Sequence, residues 1–292
     1  MSIKTIYRKI RDSKIGKLLI EPYDWFVLGE YHVLSVFWRL KGEKRPSAEE
    51  AALVAENVTF IFKSFERQHM AKRLFRNIQK YYPKAKVIIA DDSKKPLEIP
   101  SEYAQIIHLP FNIGLSRGLN QALEQVQTPY TMRMDDDELL TPFTKIETQL
   151  HFLMNHPEID LSAVQLCTAP NIGTPQKAAK AYYNYSMKRA PKELKIPHMT
   201  MIDNCHCVCG KTPNTFLIRT EKYKELGYDD CIRMIDHHEF FYRAAGNLVA
   251  CMDESAFVYH YHNRFDTHYM QYRSDYLRDC IYIQQKHGNN YS

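Results

Sequence analysis

Three consecutive aspartates, Asp135-Asp136-Asp137, close the apolar run YTMRM and are followed at once by Glu138. Carboxylates so crowded raise one another's pKa unless a cation neutralises them. Hard oxygen donors supplied sparingly by a protein suit Mg2+ or Mn2+, which complete their coordination with substrate phosphates. Such an ion would bridge a diphosphate and take up the charge that develops when the bond to the transferred group breaks. Taken alone, the run fits an Asp-rich helix start or turn equally well, favoured by the helix dipole. Two upstream stretches share its character. Asp91-Asp92-Ser93 follows the run KVIIA, and Asn112 to Leu123 (NIGLSRGLNQAL) sets Gly114 and Gly118 at a loop-to-helix junction. There, backbone N–H groups and Arg117 can meet a phosphate.

The elements that must position these residues follow from periodicity. Val58–Phe62 reads as a buried strand, Arg67–Tyr82 as an amphipathic helix stopped by Pro83, and Lys86–Ala90 as a second strand. Ala104–Leu109 is a third strand, Leu115–Val126 a helix and Tyr130–Met134 a fourth strand. Strands alternating with helices at this spacing predict an α/β fold with a mostly parallel central sheet flanked by helices. Ligands bind such sheets beyond the carboxyl ends of the strands. The polar residues at those ends are Lys63-Ser64-Phe65-Glu66, Asp91-Asp92-Ser93 and Asp135 to Glu138. From about Leu161 the pattern is broken by Pro and Gly and predicts an acceptor-side half with loops. Regular structure returns at Asn214–Arg219, Asp236–Gly246, Ala256–Tyr261 and a terminal helix over Thr267–His287. The alternating Cys205, Cys207 and Cys209 lack the paired C-x2-C spacing of a zinc site and fit a half-buried strand or acceptor loop.

VTFIFKSFER, VIIADDS, NIGLSRGLNQAL and YTMRMDDDEL, in this order, resemble the nucleotide-binding half of the family 2 glycosyltransferases, which have the GT-A fold. TPNTFLIRTEKYKELGYDDCIRMIDHHEFFYRAAG followed by VYHYH is similar to the ganglioside-type β-1,4-N-acetylgalactosaminyltransferases, and more loosely to chondroitin polymerases and polypeptide GalNAc-transferases. The likeness covers roughly Asn57 to Arg264. It implies an inverting, metal-dependent transfer of GalNAc or another hexosamine or hexose from a UDP-sugar to a glycan or lipid-linked glycan acceptor. Phe62, Lys63, Ser64, Glu66 and Asp91, with Asp92 close by, would hold uracil and ribose. Arg117 and Asn120 would line the donor, and Asp135 and Asp136 would lie against it. Asp135 and Asp137, the outer members of a DXD motif, and His260 would hold Mn2+ or Mg2+, with His262 the near competitor of His260. The base that takes the acceptor's proton should stand near the start of the helix at Asp236. The family's Glu-Asp pair is here Asp236-His237, which leaves Asp236 and Glu239 as equal candidates and His237 as a third.

Composition bounds the rest. With 45% hydrophobic and 12% aromatic residues in 292, the chain can bury a sizeable core. A net charge of +5 without blocks of like charge argues against nucleic acid as partner. Seven Cys without a signal peptide predict reduced thiols in a cytoplasm. Residues 3–17 carry Ile3, Ile6, Tyr7 and Ile10 at helical spacing among Lys4, Arg8, Lys9, Arg11, Lys14 and Lys17. This basic amphipathic pattern predicts a surface helix packed on its own domain, or peripheral attachment at the inner face of an anionic membrane. The expected division is residues 1–50 as a basic extension, 51–266 as the transferase domain and 267–292 as a C-terminal helix. Tyr182, Tyr183 and Tyr185 could stack on a sugar. The eukaryotic relatives carry membrane anchors and no such segment is evident here, so the expected setting is bacterial surface-polysaccharide synthesis. The rival reading is a catalytically silent carbohydrate-binding or scaffold domain in a polysaccharide-assembly complex.

Overall fold

The computed structural model describes residues 13, 18–169, 192–261, 265–272 and 276–288. The basic stretch before residue 18, Tyr182, Tyr183, Tyr185 and His262 lie outside the described residues, apart from Ser13.

Helix α1 (Ile20–Leu40) is followed by the polar segment 41–46 and by α2 (Ala48–Asn57). Ser47 caps α2: its hydroxyl accepts from Glu50 N and Glu50 Oε2 accepts from Ser47 N at 2.7 Å, a reciprocal box that starts the helix just after Pro46. Strand β1 (Val58–Ser64), α3 (Gln68–Tyr81), β2 (Lys86–Asp91), β3 (Ala104–His108), α4 (Leu115–Glu124) and β4 (Tyr130–Arg133) then alternate as the periodicity predicts. Strands β3, β2, β1 and β4 lie side by side in that order and all run parallel.

Beyond β4 the sheet continues with mixed polarity through β8 (Phe216–Arg219), β6 (Leu161–Thr168), β9 (Ala250–His260) and β5 (Glu138–Leu140). Strand β7 (His206–Val208) pairs with the first part of β9, β5 with its last part. The two parts of β9 are separated by an irregularity opposite Val164 and Gln165. Asp253 builds it, because its Oδ1 accepts from Ser255 N, Ser255 Oγ and Ala256 N. Helices α5 (Ile146–Asn155), α6 (Thr220–Leu226) and α7 (Asp236–Ala244) cover the sheet, and α8 (Thr267–Met270) and α9 (Tyr276–His287) follow β9. Where one terminal helix over Thr267–His287 was expected, α8 ends at Met270 and α9 begins at Tyr276.

The sheet separates two apolar cores. One packs Phe60, Phe62 and Leu217 against Leu74, Ile78, Leu150 and Leu153 of α3 and α5; the other packs Ile61, Phe216 and Ile218 against Leu119, Leu123, Tyr223 and Phe240 of α4, α6 and α7. A third lies under α1, where Val27, Tyr31 and Trp38 meet Leu139, Phe257 and Tyr259.

Candidate active site

Register brings the acidic run to its partners. The chain leaves β4 at Arg133, turns through the three aspartates and departs as β5, whose antiparallel pairing sets Glu138 opposite His260. Tyr261 N donates to Asp137 O at 2.6 Å and closes the turn. His260 Nε2 is then 3.6 Å from Asp137 Oδ1, and its Nδ1 is 3.2 Å from Thr168 Oγ1. Helix α7 starts at the same place, so Asp236 joins the run on one cavity of about 470 Å3 at the carboxyl ends of β1 and β4. Lys63, Asn112, Arg233, His237, Tyr269 and Tyr272 complete much of its wall.

The charges in this wall are neutralised from a distance. Arg67, at the start of α3, donates to Asp136 Oδ1 at 2.5 Å and to Asp137 Oδ2 at 3.2 Å, and its guanidinium lies 3.9 Å from the ring centre of Tyr269. Burial pushes the Asp136 carboxyl up to about 7, with Arg67 opposing and Asp137 and Asp135 adding to the rise. Arg133, fully buried on β4, holds Asp135 Oδ1 at 2.8 Å and reaches Asp236 Oδ2 at 3.9 Å, so one cation ties the acidic run to α7. Glu138 is raised well above the ordinary carboxylate range by burial and by Asp135; Asp135 N donates to one of its oxygens and Thr215 Oγ1 to the other. Lys211, beside His238, is lowered by burial to about 8 in spite of Asp236. His237 is held well below the usual imidazole range by burial and by Lys211, and as the neutral ring its Nε2–H donates to Thr212 O at 2.6 Å. His237 is thereby anchored to the loop before β8 and is poorly placed to take a proton.

Several expected site residues lie elsewhere. Phe62 is in the core, where alternation along β1 turns it away from the cavity. Ser64 is buried at the end of β1 and does not reach the cavity wall. Glu66 takes a left-handed turn, φ 55°, and its carboxylate accepts from Lys94 N at 2.8 Å. Asp91 closes its own loop, accepting from Ser93 Oγ and Leu97 N. Asp92 lies behind Lys63, accepting from Lys63 Nζ and from Gly114 N at 3.4 Å. Arg117 is on the exposed side of α4, outside the cavity wall. Asn120 ties α4 to the loop before α7: its amide donates to Tyr228 O and Asp230 Oδ1, and its carbonyl accepts from Tyr228 N. Glu239 points to the far side of α7, where Arg243 Nε, Lys286 Nζ and His287 Nε2 surround it. Of the candidate bases, Asp236 faces the cavity and Glu239 does not.

The glycines act through space more than through bare amides. A Cβ on Gly118 would stand 2.8 Å from Lys63 Cδ, so its absence lets the Lys63 stem cross α4. Gly114, at φ 104°, lies under Arg233, whose main-chain oxygen accepts from Leu115 N and whose guanidinium donates to Asn112 O. Arg233 is the cation that reaches the place expected of Arg117. Sequence reasoning passed over Arg67, Arg133, Lys211 and Arg233; the one local signal was an arginine inside the apolar run YTMRM. Among the cysteines, Cys207 and Cys209 are buried at β7, while His206 stacks on Phe152 at 3.5 Å and pairs with Asp203 at 2.8 Å.

The donor set around the acidic run suits a hard divalent ion: carboxylates and one imidazole, with no thiolate among the described residues of the wall. Asp137 turns one oxygen toward His260 and the other toward Arg67.

A model of "Glycosyl transferase family 2" matches residues 59–211, just over half of the chain. Mouse (Mus musculus) β-1,4 N-acetylgalactosaminyltransferase 2 is 32% identical over 195 residues, 66% of this chain and 37% of that protein. Human (Homo sapiens) β-1,4 N-acetylgalactosaminyltransferase 1 is 29% identical over 194 residues, 65% of this chain and 36% of that protein. The chain thus spans little more than a third of the length of these curated relatives. Among solved structures, S. aureus TarS 1-349 superposes with a TM-score of 0.52 at 16% identity, covering 70% of this chain and 60% of that one. A mannosyltransferase from Pyrobaculum calidifontis, in complex with GDP-Man and Mn2+, gives a TM-score of 0.54 at 14% identity over 94% of this chain and 77% of that one. These likenesses show a GT-A fold.

Proposed function

We propose, from the premise that this chain belongs to glycosyl transferase family 2 and is a glycosyltransferase using a nucleotide-sugar donor, that it moves a hexosamine or hexose, GalNAc foremost, from UDP to a glycan or lipid-linked glycan with inversion. The observation that carries the reading is the meeting of Asp135, Asp136, Asp137, His260 and Asp236 on one cavity wall. The similarity to N-acetylgalactosaminyltransferases supports the sugar, and a TarS structure in complex with UDP-GlcNAc supports the nucleotide. We place the reaction in bacterial surface-polysaccharide synthesis, at the cytoplasmic side of the membrane.

In the reaction, the acceptor's hydroxyl oxygen forms a bond to the anomeric carbon as the bond from that carbon to the diphosphate breaks. The hydroxyl proton passes to Asp236, and the bonding pair leaves with UDP. Arg133 and Lys211, facing Asp236 from behind, position it as a carboxylate. Asp135, Asp137 and His260 would hold Mn2+ or Mg2+, which when bound supplies positive charge to the leaving diphosphate. Arg67 adds a fixed cation on the other side of Asp137, and Arg233 and Lys63 line the same cavity.

The second reading, a silent carbohydrate-binding domain, gains from one observation: Arg67 already neutralises Asp136 and Asp137 internally. Release of UDP from UDP-GalNAc, measured with and without Mn2+ and candidate acceptors, separates the two. Metal-dependent release that drops by about a thousandfold or more in Asp137→Ala is the expected result. No release with any UDP-sugar, together with nucleotide binding untouched by Asp137→Ala, would establish the silent domain instead.

A further inference from the structure

Helix α1 is apolar on two sides, and the body formed by the described residues packs on one of them. Its inner side is fixed by Val27, Tyr31 and Trp38 in the third core. Tyr31 Oη donates to Leu140 O at 2.7 Å, Tyr259 Oη donates to Val27 O at 3.3 Å, and Tyr261 Oη donates to Asp24. The outer side presents Trp25 (75% exposed), Phe26, Val33 (69%), Val36, Phe37 and Leu40 (81%). At 1.5 Å per residue, Trp25 to Leu40 is a ridge about 22 Å long. His32 is the only residue among the exposed positions between Glu21 and Arg39 with a titratable side chain. A helix apolar all round belongs in a core or in lipid, and an exposed patch of this extent marks a binding surface.

We infer that the outer face of α1 lies in the interfacial layer of an anionic lipid bilayer, with the helix axis in the membrane plane. Charge selects lipid over a protein partner. Arg39, Lys41, Lys44 and Arg45 are exposed at the carboxyl end of the ridge with Glu43 as the one acid among them, and residues 1–20 hold six Lys and Arg against one Asp. The ridge offers almost no hydrogen-bonding code, whereas a specific protein interface carries about ten hydrogen bonds. Tryptophan and phenylalanine flanked by lysine and arginine are the side chains that settle at the headgroup boundary, the long cations reaching back to phosphate. Lys41 already packs on the ridge, with Nζ 4.6 Å from the Phe37 ring centre. The bonds on the inner side oppose a transverse orientation, and among the described residues no helix is long and apolar enough to cross a membrane. Asp24, on the inner side, also joins α1 to Tyr261, whose N–H closes the Asp137 turn, so the helix is tied to the acidic run through its inner face.

Sedimentation of the intact chain with vesicles of phosphatidylcholine alone, and of phosphatidylcholine mixed with phosphatidylglycerol, tests the assignment. Binding to the anionic vesicles is expected, weakened by salt and by Lys41→Gln with Lys44→Gln. The chain has two tryptophans; Trp38 is buried, so a blue shift and quenching by brominated lipid report on Trp25. Phe37→Glu and Val33→Glu should each lower vesicle affinity about tenfold or more while leaving the melting temperature and UDP release in solution unchanged. Failure of the chain to bind anionic vesicles would overturn the assignment. So would wild-type binding by both variants, or a dimer that Phe37→Glu splits in the absence of lipid binding.

Discussion

Asp91 ends β2 and Asp137 follows β4, both apolar strands of the parallel half, and each is buried, yet one finds its partners nearby in the chain and the other far away. Asp91 accepts from Ser93 and Leu97, two and six residues on. Asp137 meets Arg67, 70 residues before it, and His260, on β9, the last of these strands along the chain. A carboxylate satisfied within its own loop stiffens that loop and has little left to offer a ligand. One held by separate elements stays at a surface where those elements meet, and a ligand entering there can share its charge. The same contrast separates Glu239, enclosed by Arg243, Lys286 and His287, from Asp236, on the cavity wall facing Arg133.

The carboxylates of α7 give the sharpest way to break this comparison. Asp236→Asn should lower kcat by about 10^2- to 10^4-fold with the donor KM little changed, because the amide cannot accept the acceptor's proton. Glu239→Gln should leave kcat within a few fold and lower the melting temperature instead, through weakened contacts to α9. Reversal of these two outcomes would mean that Glu239 does the chemistry and that α7 turns its other face to the cavity.

Arg67 tests the acidic run itself. Removing one member of a buried ion cluster leaves the others uncompensated and costs about 3–5 kcal/mol. Arg67→Ala should destabilise the metal-free chain by that order in urea unfolding, and added Mn2+ should restore much of the loss by binding only the native form. If Mn2+ stabilises the wild type and the variant equally, Arg67 and the ion do not share the carboxylates.

The strands and helices of the first half were legible because their periodicity is local: β1, α3, β2, β3, α4 and β4 fall within a few residues of the expected bounds. The acidic run was legible as well, as three carboxylates in a row are conspicuous. What sequence could not give is which charges meet. Arg133 lies in a run that reads as plain strand, and Lys211 sits in the irregular second half, so their convergence on Asp135 and Asp236 depends on β8, which pairs antiparallel with β4. Strand β5 was missed because three residues carry no period, although its pairing alone delivers His260. Residues assigned from family pattern to the donor, such as Glu66, Asp91 and Asn120, turn out to be bound to their own scaffold.

Lys211 extends the comparison to pH. Burial lowers its ammonium from 10.5 to about 8, against the pull of Asp236. Between those values the unfolded chain binds a proton that the folded chain does not, so stability rises with pH across that window, and the full burial penalty applies below about 8. The rise should amount to about 3 kcal/mol in the wild type and should be missing from Lys211→Met. Parallel profiles for the two proteins would show that Lys211 reaches solvent and does not press on Asp236.

Asn120 carries the smallest expected effect and the cleanest distinction between scaffold and site. Its amide makes three hydrogen bonds to Tyr228 and Asp230, at 2.8 to 2.9 Å, and these hold the loop that leads to Arg233 and Asp236. Loss of partly buried hydrogen bonds of this kind costs about 1–2 kcal/mol in all. Asn120→Ala should therefore lower stability by that amount with the donor KM unchanged, while kcat falls a few fold as the start of α7 loosens. Were Asn120 a donor contact, as the family pattern suggests, the order would invert: KM for the UDP-sugar would rise about tenfold and the melting temperature would hold.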